Sequence, residues 1–153
     1  MSWYVLKTKV RQEQRAEAHL QNQDLTTYCP RLVRRSGSVE ALFPGYIFIN
    51  LDCIATHYTS VRSTRGVQTV LKFGDWWATV DDGFIDYLKF KESGYTDVPE
   101  FQSNQNVIFK DGPFKDLEAV YLCSNGTDRA MVLLKLLGRK QTIEVEEKLL
   151  RAV

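Results

Sequence analysis

The chain has 153 residues, 44% of them hydrophobic and 25% charged, and a formal net charge of +1, a composition suited to one ordinary soluble domain or two small ones. No apolar run approaches the roughly 18–20 residues of a membrane span, and "MSWYVLKTKV" lacks the apolar core and cleavage site of a signal peptide, so a cytoplasmic protein is expected. Residues 1–72 hold ten bases and five acids (net +5) while residues 73–153 hold ten bases and fourteen acids (net −4), so the front half can present a local surface for a polyanion.

"SWYVLKT" reads as a first strand, with Trp3 and Val5 on one face and Tyr4 and Leu6 on the other. A helix follows over residues 11–24, rich in helix formers and free of Gly and Pro. At about 100° per residue its Gln12, Arg15, His19 and Gln23 fall in one stripe roughly 80° wide, with Lys9 just ahead and Ala16 and Leu20 on the flank that anchors the helix. Forked and ring N–H donors of this kind suit phosphates and base edges, although an ordinary solvated helix face has the same look. "TTYCPRLVRRSGSVEA" reads as irregular chain with a basic, Gly- and Ser-containing hairpin tip.

"LFPGYIFIN", residues 42–50, is a strand entered through a Phe-Pro-Gly turn. Alternation places Phe43, Ile47 and Ile49 on one face and Pro44, Tyr46 and Phe48 on the other. A small domain needs one such face for its core, so the second must meet something else. Beyond it, "THYTSVRSTRGVQTVLKF" begins as a short helix and ends as a strand, with Arg62, Thr64 and Arg65 at the junction, placed for phosphate contacts or base stacking. "TVDDGFIDYLKFKES" is an amphipathic helix, with Phe84, Tyr87, Leu88 and Lys91 at i, i+3, i+4 and i+7. Residues 1–92 thus read as an α+β domain of helices on an antiparallel sheet, and residues 93–103 as a linker.

Residues 104–153 support two periodicities. Short β-like runs flank the Gly112-Pro113 turn, and "TIEV" alternates, as in a small five-stranded barrel. Leu-rich "TDRAMVLLKLLGRK" favours helix, with Thr127 as a candidate N-cap and Ala130, Leu133, Leu134 and Leu137 as a stripe; Phe114, Leu117 and Tyr121 would line a preceding helix. Both stay open at this point.

No GxSxG, P-loop, GxGxxG or HExxH motif is present, and His19 and His57 have no triad or metal-ligand spacing around them. Cys29, Cys53 and Cys123 are an odd number, widely spaced, and read as reduced thiols without a zinc pattern. Neither catalysis, a cofactor nor a metal is expected.

Taken together, "WYVL", "QRAEAHL", "LFPGYIFI", "STRGV", "LKFG" and, after the linker, the KOW-like "NVIFKDGPFKDLEAVY" resemble the NusG family of transcription elongation factors. The order is right over nearly the whole chain; Asp116 stands where the KOW motif often has a second glycine. The Leu-rich C-terminus is most similar to the RfaH-type specialised paralogues. For those, the resemblance implies an NGN-like N-terminal domain and a C-terminal domain that is an α-helical hairpin when autoinhibited and a β-barrel when active. It implies an operon-specific elongation and antitermination factor, a monomer that suppresses pausing and termination. Phe43, Pro44, Tyr46 and Phe48 match the patch for the clamp helices of the largest RNA polymerase subunit. His57, Tyr58, Thr59 and Ser60 match, with two differences from "HTTT", the contact to the gate loop of the second-largest subunit. Lys9, Gln12, Arg15, His19, Thr64 and Arg65, together with Gln23 of the same stripe, are the candidates for the exposed non-template DNA strand and its ops-like hairpin. Arg11 follows Val10, an order of basic residues that bears on which DNA element is preferred. Glu40 and Arg129 match an interdomain salt bridge, and Tyr121, Leu133, Leu136 and Leu137 the residues that cover the aromatic patch. A small-subunit ribosomal protein is a further implied partner, coupling transcription to translation. The alternatives are a general NusG-type factor without autoinhibition and a KOW-containing ribosome-associated RNA-binding protein.

Overall fold

The computed structural model describes residues 2–33, 36–93, 114–123 and 125–151. Strand β1 (Ser2–Thr8) is the centre of a five-stranded antiparallel sheet. On one side it pairs with β5 (Tyr46–Leu51), Val5 opposite Phe48 and Leu6 opposite Ile47, and β5 in turn pairs with β2 (Thr26–Tyr28). Its other edge is shared by β6 (Val67–Val70), alongside Leu6–Thr8, and β9 (Thr79–Val80), alongside Trp3 and Tyr4. Two small hairpins stand outside this sheet: β3 (Arg31–Val33) with β4 (Val39–Ala41), and β7 (Lys72–Phe73) with β8 (Trp76–Trp77).

The alternation of β1 decides the layers. Leu6 points with Ile47, Ile49 and Leu51 into a core closed by helix α1 (Glu13–Gln21), through Ala16 and Leu20, and by α2 (Ile54–Arg62), through Ile54 and Val61. Trp3 and Val5 point the other way, with Phe48, into a second core. Helix α3 (Asp82–Ser93) contributes Phe84, Ile85, Tyr87 and Leu88 to it. Helix α4 (Phe114–Leu122) adds Val120, and α5 (Gly126–Arg151) adds Leu133, Leu136 and Leu137. The sheet is therefore covered on both faces, and the C-terminal helices belong to the same apolar cluster as the aromatic side of β5.

Four expectations change. Phe43 shares the Phe48 face, not the Ile47 face, and its ring meets Phe48 edge-on at 6.3 Å. The strand starts only at Tyr46; Gly45 at φ +87° and the Tyr46 N–H donating to the Phe43 carbonyl make residues 43–46 a turn, which resets the alternation. The helix expected over 11–24 is shorter, because Arg11 adopts φ +60° and Asp24 φ +62°. The irregular stretch after it contains the β3–β4 ladder. Residues 142–145, alternating like a strand, lie within α5, whose start is capped by Asn125 accepting from the Asp128 N–H at 2.8 Å rather than by Thr127. Ser93 ends α3; the rest of the expected linker, 94–103, and the Gly112-Pro113 turn lie outside the described residues.

Candidate nucleic-acid and polymerase interfaces

Gln12 is the residue before α1, half-buried and making no side-chain cap bond; Arg15 and Lys9 are exposed and His19 is half-buried. Gln23 is not on the helix. It lies in the turn after it, and its amide donates to the Thr64 hydroxyl at 2.8 Å and to the His19 carbonyl at 3.2 Å. Thr64 in turn donates to the Ser60 carbonyl at 2.7 Å and is only 7% exposed. These bonds join the end of α1 to the end of α2, with Thr64 buried and Gln23 exposed at the surface of the clip. Arg62 and Arg65 remain exposed beside this clip.

Gly66 is the residue the charge pattern passed over. It sits at φ +92°, and a Cβ there would approach the Ala16 backbone nitrogen to 2.8 Å. Its carbonyl accepts from the Lys9 N–H at 2.8 Å. One glycine therefore seats α1 against the start of β6 and holds Lys9 at the rim. Its signal was in the "TRG" order, the usual need for glycine where the chain turns and passes close to another backbone. At the other end of the turn, the Glu13 carboxylate accepts from the Gly45 N–H at 2.8 Å, tying the start of α1 to the Phe-Pro-Gly turn.

A shallow pocket of about 350 Å³ lies between the two candidate faces, walled by Lys9, Tyr58, Thr59, Arg62, Ser63 and Gln68 among others. The Tyr58 ring leans on Trp77 at 5.4 Å, and the Lys72 ammonium lies 4.5 Å from the Trp77 ring centre. Thr59 and Ser60 are exposed on α2, and His57 Nε2 is 3.7 Å from an Asp52 carboxylate oxygen. So the 57–60 segment is presented by the same helix that carries Arg62, and its aromatic member is propped from behind.

The aromatic side of β5 is covered. Phe43 and Phe48 are fully buried, Phe48 also meeting the Phe84 ring at 5.9 Å; Tyr46 is half-buried, and burial pushes its hydroxyl above the ordinary phenol range. Pro44 is exposed to solvent yet lies against Gly126, where a Cβ would overlap its ring. Arg129 is the most constrained side chain in this contact, with no exposed surface. Its Nε donates to the Leu42 carbonyl at 2.7 Å, Nη2 to Glu40 Oε1 at 2.9 Å and Nη1 to the Cys123 carbonyl at 3.3 Å. The expected Glu40–Arg129 pair is thus in contact, but within a wider web in which backbone carbonyls take most of the guanidinium.

Tyr121, Leu133, Leu136 and Leu137 all come to this cluster, Tyr121 half-buried and the leucines buried. Burial, with the Tyr87 and Glu92 charges behind it, pushes the Tyr121 hydroxyl well up. Lys91, unremarkable in the sequence beyond its helical spacing, stands 5.7 Å from the Tyr121 ring and 5.8 Å from that of Tyr87. At the end of the same helix, Glu92 accepts from the Tyr28 hydroxyl at 2.7 Å and from the Arg31 N–H at 3.2 Å. All three thiols are free; Cys29 is buried and pushed up to about 12, chiefly by desolvation. Among the described residues there is no group of three or more metal-binding side chains, and no helix is long and apolar enough to cross a membrane.

The described domain is thus a helix-flanked antiparallel sheet with a basic edge and an aromatic strand. The profile of one family, transcription termination factor nusG, matches residues 1–89, more than half of the chain, and the chain belongs to the NusG family. It is also similar to a solved structure titled "Domain interaction in Thermotoga maritima NusG", at 20% identity and a TM-score of 0.49. That match covers 63% of this chain and 60% of the other, and the family assignment rests on the profile alone.

Proposed function

We propose that this NusG-family member is an RfaH-type factor: a regulator of transcript elongation that docks on RNA polymerase through the aromatic side of β5, reads single-stranded non-template DNA with its basic edge, and suppresses pausing and termination. In this reading α4 and α5 are the closed form of a KOW-type C-terminal domain, which leaves the aromatic side on recruitment and refolds as a barrel. The two forms need differ by only a few kcal/mol. The observation that carries the reading is the cover itself. A C-terminal segment with a KOW-like sequence lies as two helices on Phe43 and Phe48, held by a fully buried arginine. An apolar face of that kind is unfavourable to leave wet, so whatever displaces the helices must supply its own apolar surface. The polymerase clamp helices fit that requirement, the 57–60 segment would meet the gate loop, and the freed barrel would be available to a small-subunit ribosomal protein. Arg15, Lys9, Arg62 and Arg65 remain available to a DNA strand, including an ops-like hairpin.

The test is retention of core RNA polymerase by the full-length chain, by Arg129→Ala, and by Arg129→Ala with Tyr46→Ala. Weak retention by the parent, strong retention by the first variant and loss in the second are expected. Equal retention by parent and Arg129→Ala would favour the general NusG-type reading without autoinhibition. Absence of retention in all three would remove the polymerase assignment and leave the ribosome-associated reading.

A further inference from the structure

Exposed apolar residues scattered singly over a surface are ordinary. Val10 is different in how it is held. It is 84% exposed at the tip of the β1–α1 turn, between the exposed cations Lys9 and Arg11. The turn around it is pinned at both ends: the Lys9 N–H donates to the Gly66 carbonyl at 2.8 Å and the Gln12 N–H to the Lys9 carbonyl at 3.1 Å. Arg11 is kept at φ +60°, a conformation that is costly for a residue other than glycine. Val10 itself is β-branched and stiff about χ1.

We infer that Val10 is an apolar wedge that packs against an unpaired base of a single-stranded nucleic acid crossing this edge. The inference rests on the reading of that edge as a DNA-binding surface and adds a contact of a different physical kind. Lys9, Arg11 and Arg15 meet phosphates, and their contribution falls as salt rises. A valine against a base face removes apolar surface from water and is insensitive to salt. Apolar side chains wedged against base steps, with cations on the neighbouring phosphates, recur in nucleic-acid-binding proteins. The rigid turn makes the wedge ready before binding, so little ordering is lost in the complex.

The experiment uses the full-length chain and a short single-stranded oligodeoxynucleotide carrying 2-aminopurine, titrated over a series of salt concentrations. Val10→Ser is expected to weaken binding about fivefold at every salt concentration, giving a log K against log salt line parallel to the parent's. It should also reduce the change in 2-aminopurine emission. Val10→Ile is expected to bind as the parent does, and Lys9→Ala to flatten the line by about one counterion. Because Val10 is exposed, the serine variant folds normally, which its melting curve checks. Unchanged affinity in Val10→Ser, or a loss that disappears at high salt, overturns the wedge while leaving the basic edge intact. Failure of the parent to bind any single strand overturns the underlying DNA reading and the wedge with it.

Discussion

Replacing Arg129 with alanine tests what holds α4 and α5 on the sheet. Removing one member of a buried ion pair typically costs about 3–5 kcal/mol, because the other charge is stranded. Here the partner, Glu40, has a side chain 36% exposed and re-solvates when the arginine is gone, so the pair itself is worth at most ~1 kcal/mol. The larger part is the Leu42 carbonyl, 2.7 Å from Nε, with the Ala41 carbonyl 3.5 Å from Nη2 beside it; the Cys123 carbonyl belongs to the C-terminal segment itself and does not cross the contact. Hydrogen bonds to a charged donor contribute about 1.5–3 kcal/mol, and the buried arginine stem adds packing. A total of about 3 kcal/mol corresponds to an opening equilibrium on the order of 100-fold more favourable. Glu40→Gln keeps an acceptor oxygen and loses only the charge, so it should change opening by about two- to fivefold. Amide hydrogen exchange of α4 and the first turns of α5 reads both variants directly. The reasoning fails if Glu40→Gln raises exchange as much as Arg129→Ala does, since the carboxylate rather than the backbone web would then be the lock.

Gly126→Ala should loosen the same contact by about 1–3 kcal/mol, as the new methyl must displace the Pro44 ring, although alanine is the better helix former; unchanged exchange of α4 amides would show that the ring gives way freely. Lys91→Gln removes a cation shared by the Tyr87 and Tyr121 rings and should favour opening about two- to fivefold, with Lys91→Arg close to the parent, measured by the same exchange. Alkali should release the helices. An undocked Tyr121 ionises near the usual phenol value of about 10, whereas the docked one holds its proton well above that, so docking is intact below pH ~10 and weakens as pH rises towards the docked value. Tyrosine absorbance at 295 nm against circular dichroism checks this; Tyr87, pushed up to about 12 by burial, should also titrate late, and a single midpoint near 10 for every tyrosine would contradict it. Gly66→Ala, strained at φ +92° and pressed on the Ala16 backbone, should lower the melting temperature and the affinity for single-stranded DNA together; a normal melting curve would mean that α1 is seated by something else.

Much of the domain was legible in the amino-acid order because its determinants are local. The period of two in "SWYVLKT" and "YIFIN" assigns Trp3 and Val5 to one core and Leu6, Ile47 and Ile49 to the other, as pairing of β1 with β5 requires. Spacing placed α3, and Ala16 and Leu20 marked the inner side of α1. The excess of cations in the first 72 residues, including Lys9, Arg15 and Arg65, was present in the composition itself. Where a local rule was interrupted, reading along the chain failed: Gly45 reset the phase at Phe43, and Arg11 and Asp24 cut the helix short.

What the tertiary structure alone decided are the partners of side chains that could have pointed to solvent. Gln23 and Thr64 have the chemistry of nucleic-acid contacts, and only the fold shows that these residues, 41 positions apart, are hydrogen-bonded to each other. Lys91 acquires meaning only when α4 brings Tyr121 beside it. The C-terminal stretch shows the same division most plainly. Its leucines and its alternating "TIEV" are compatible with helix or strand, because short apolar runs carry both periods. Burial against Phe48 and a guanidinium turned onto the Leu42 carbonyl, 87 residues away, accompany the helical form described here. Local propensity differs between such forms by little per residue, whereas burial of an apolar face and satisfaction of a buried charge are non-local and large enough to choose between them.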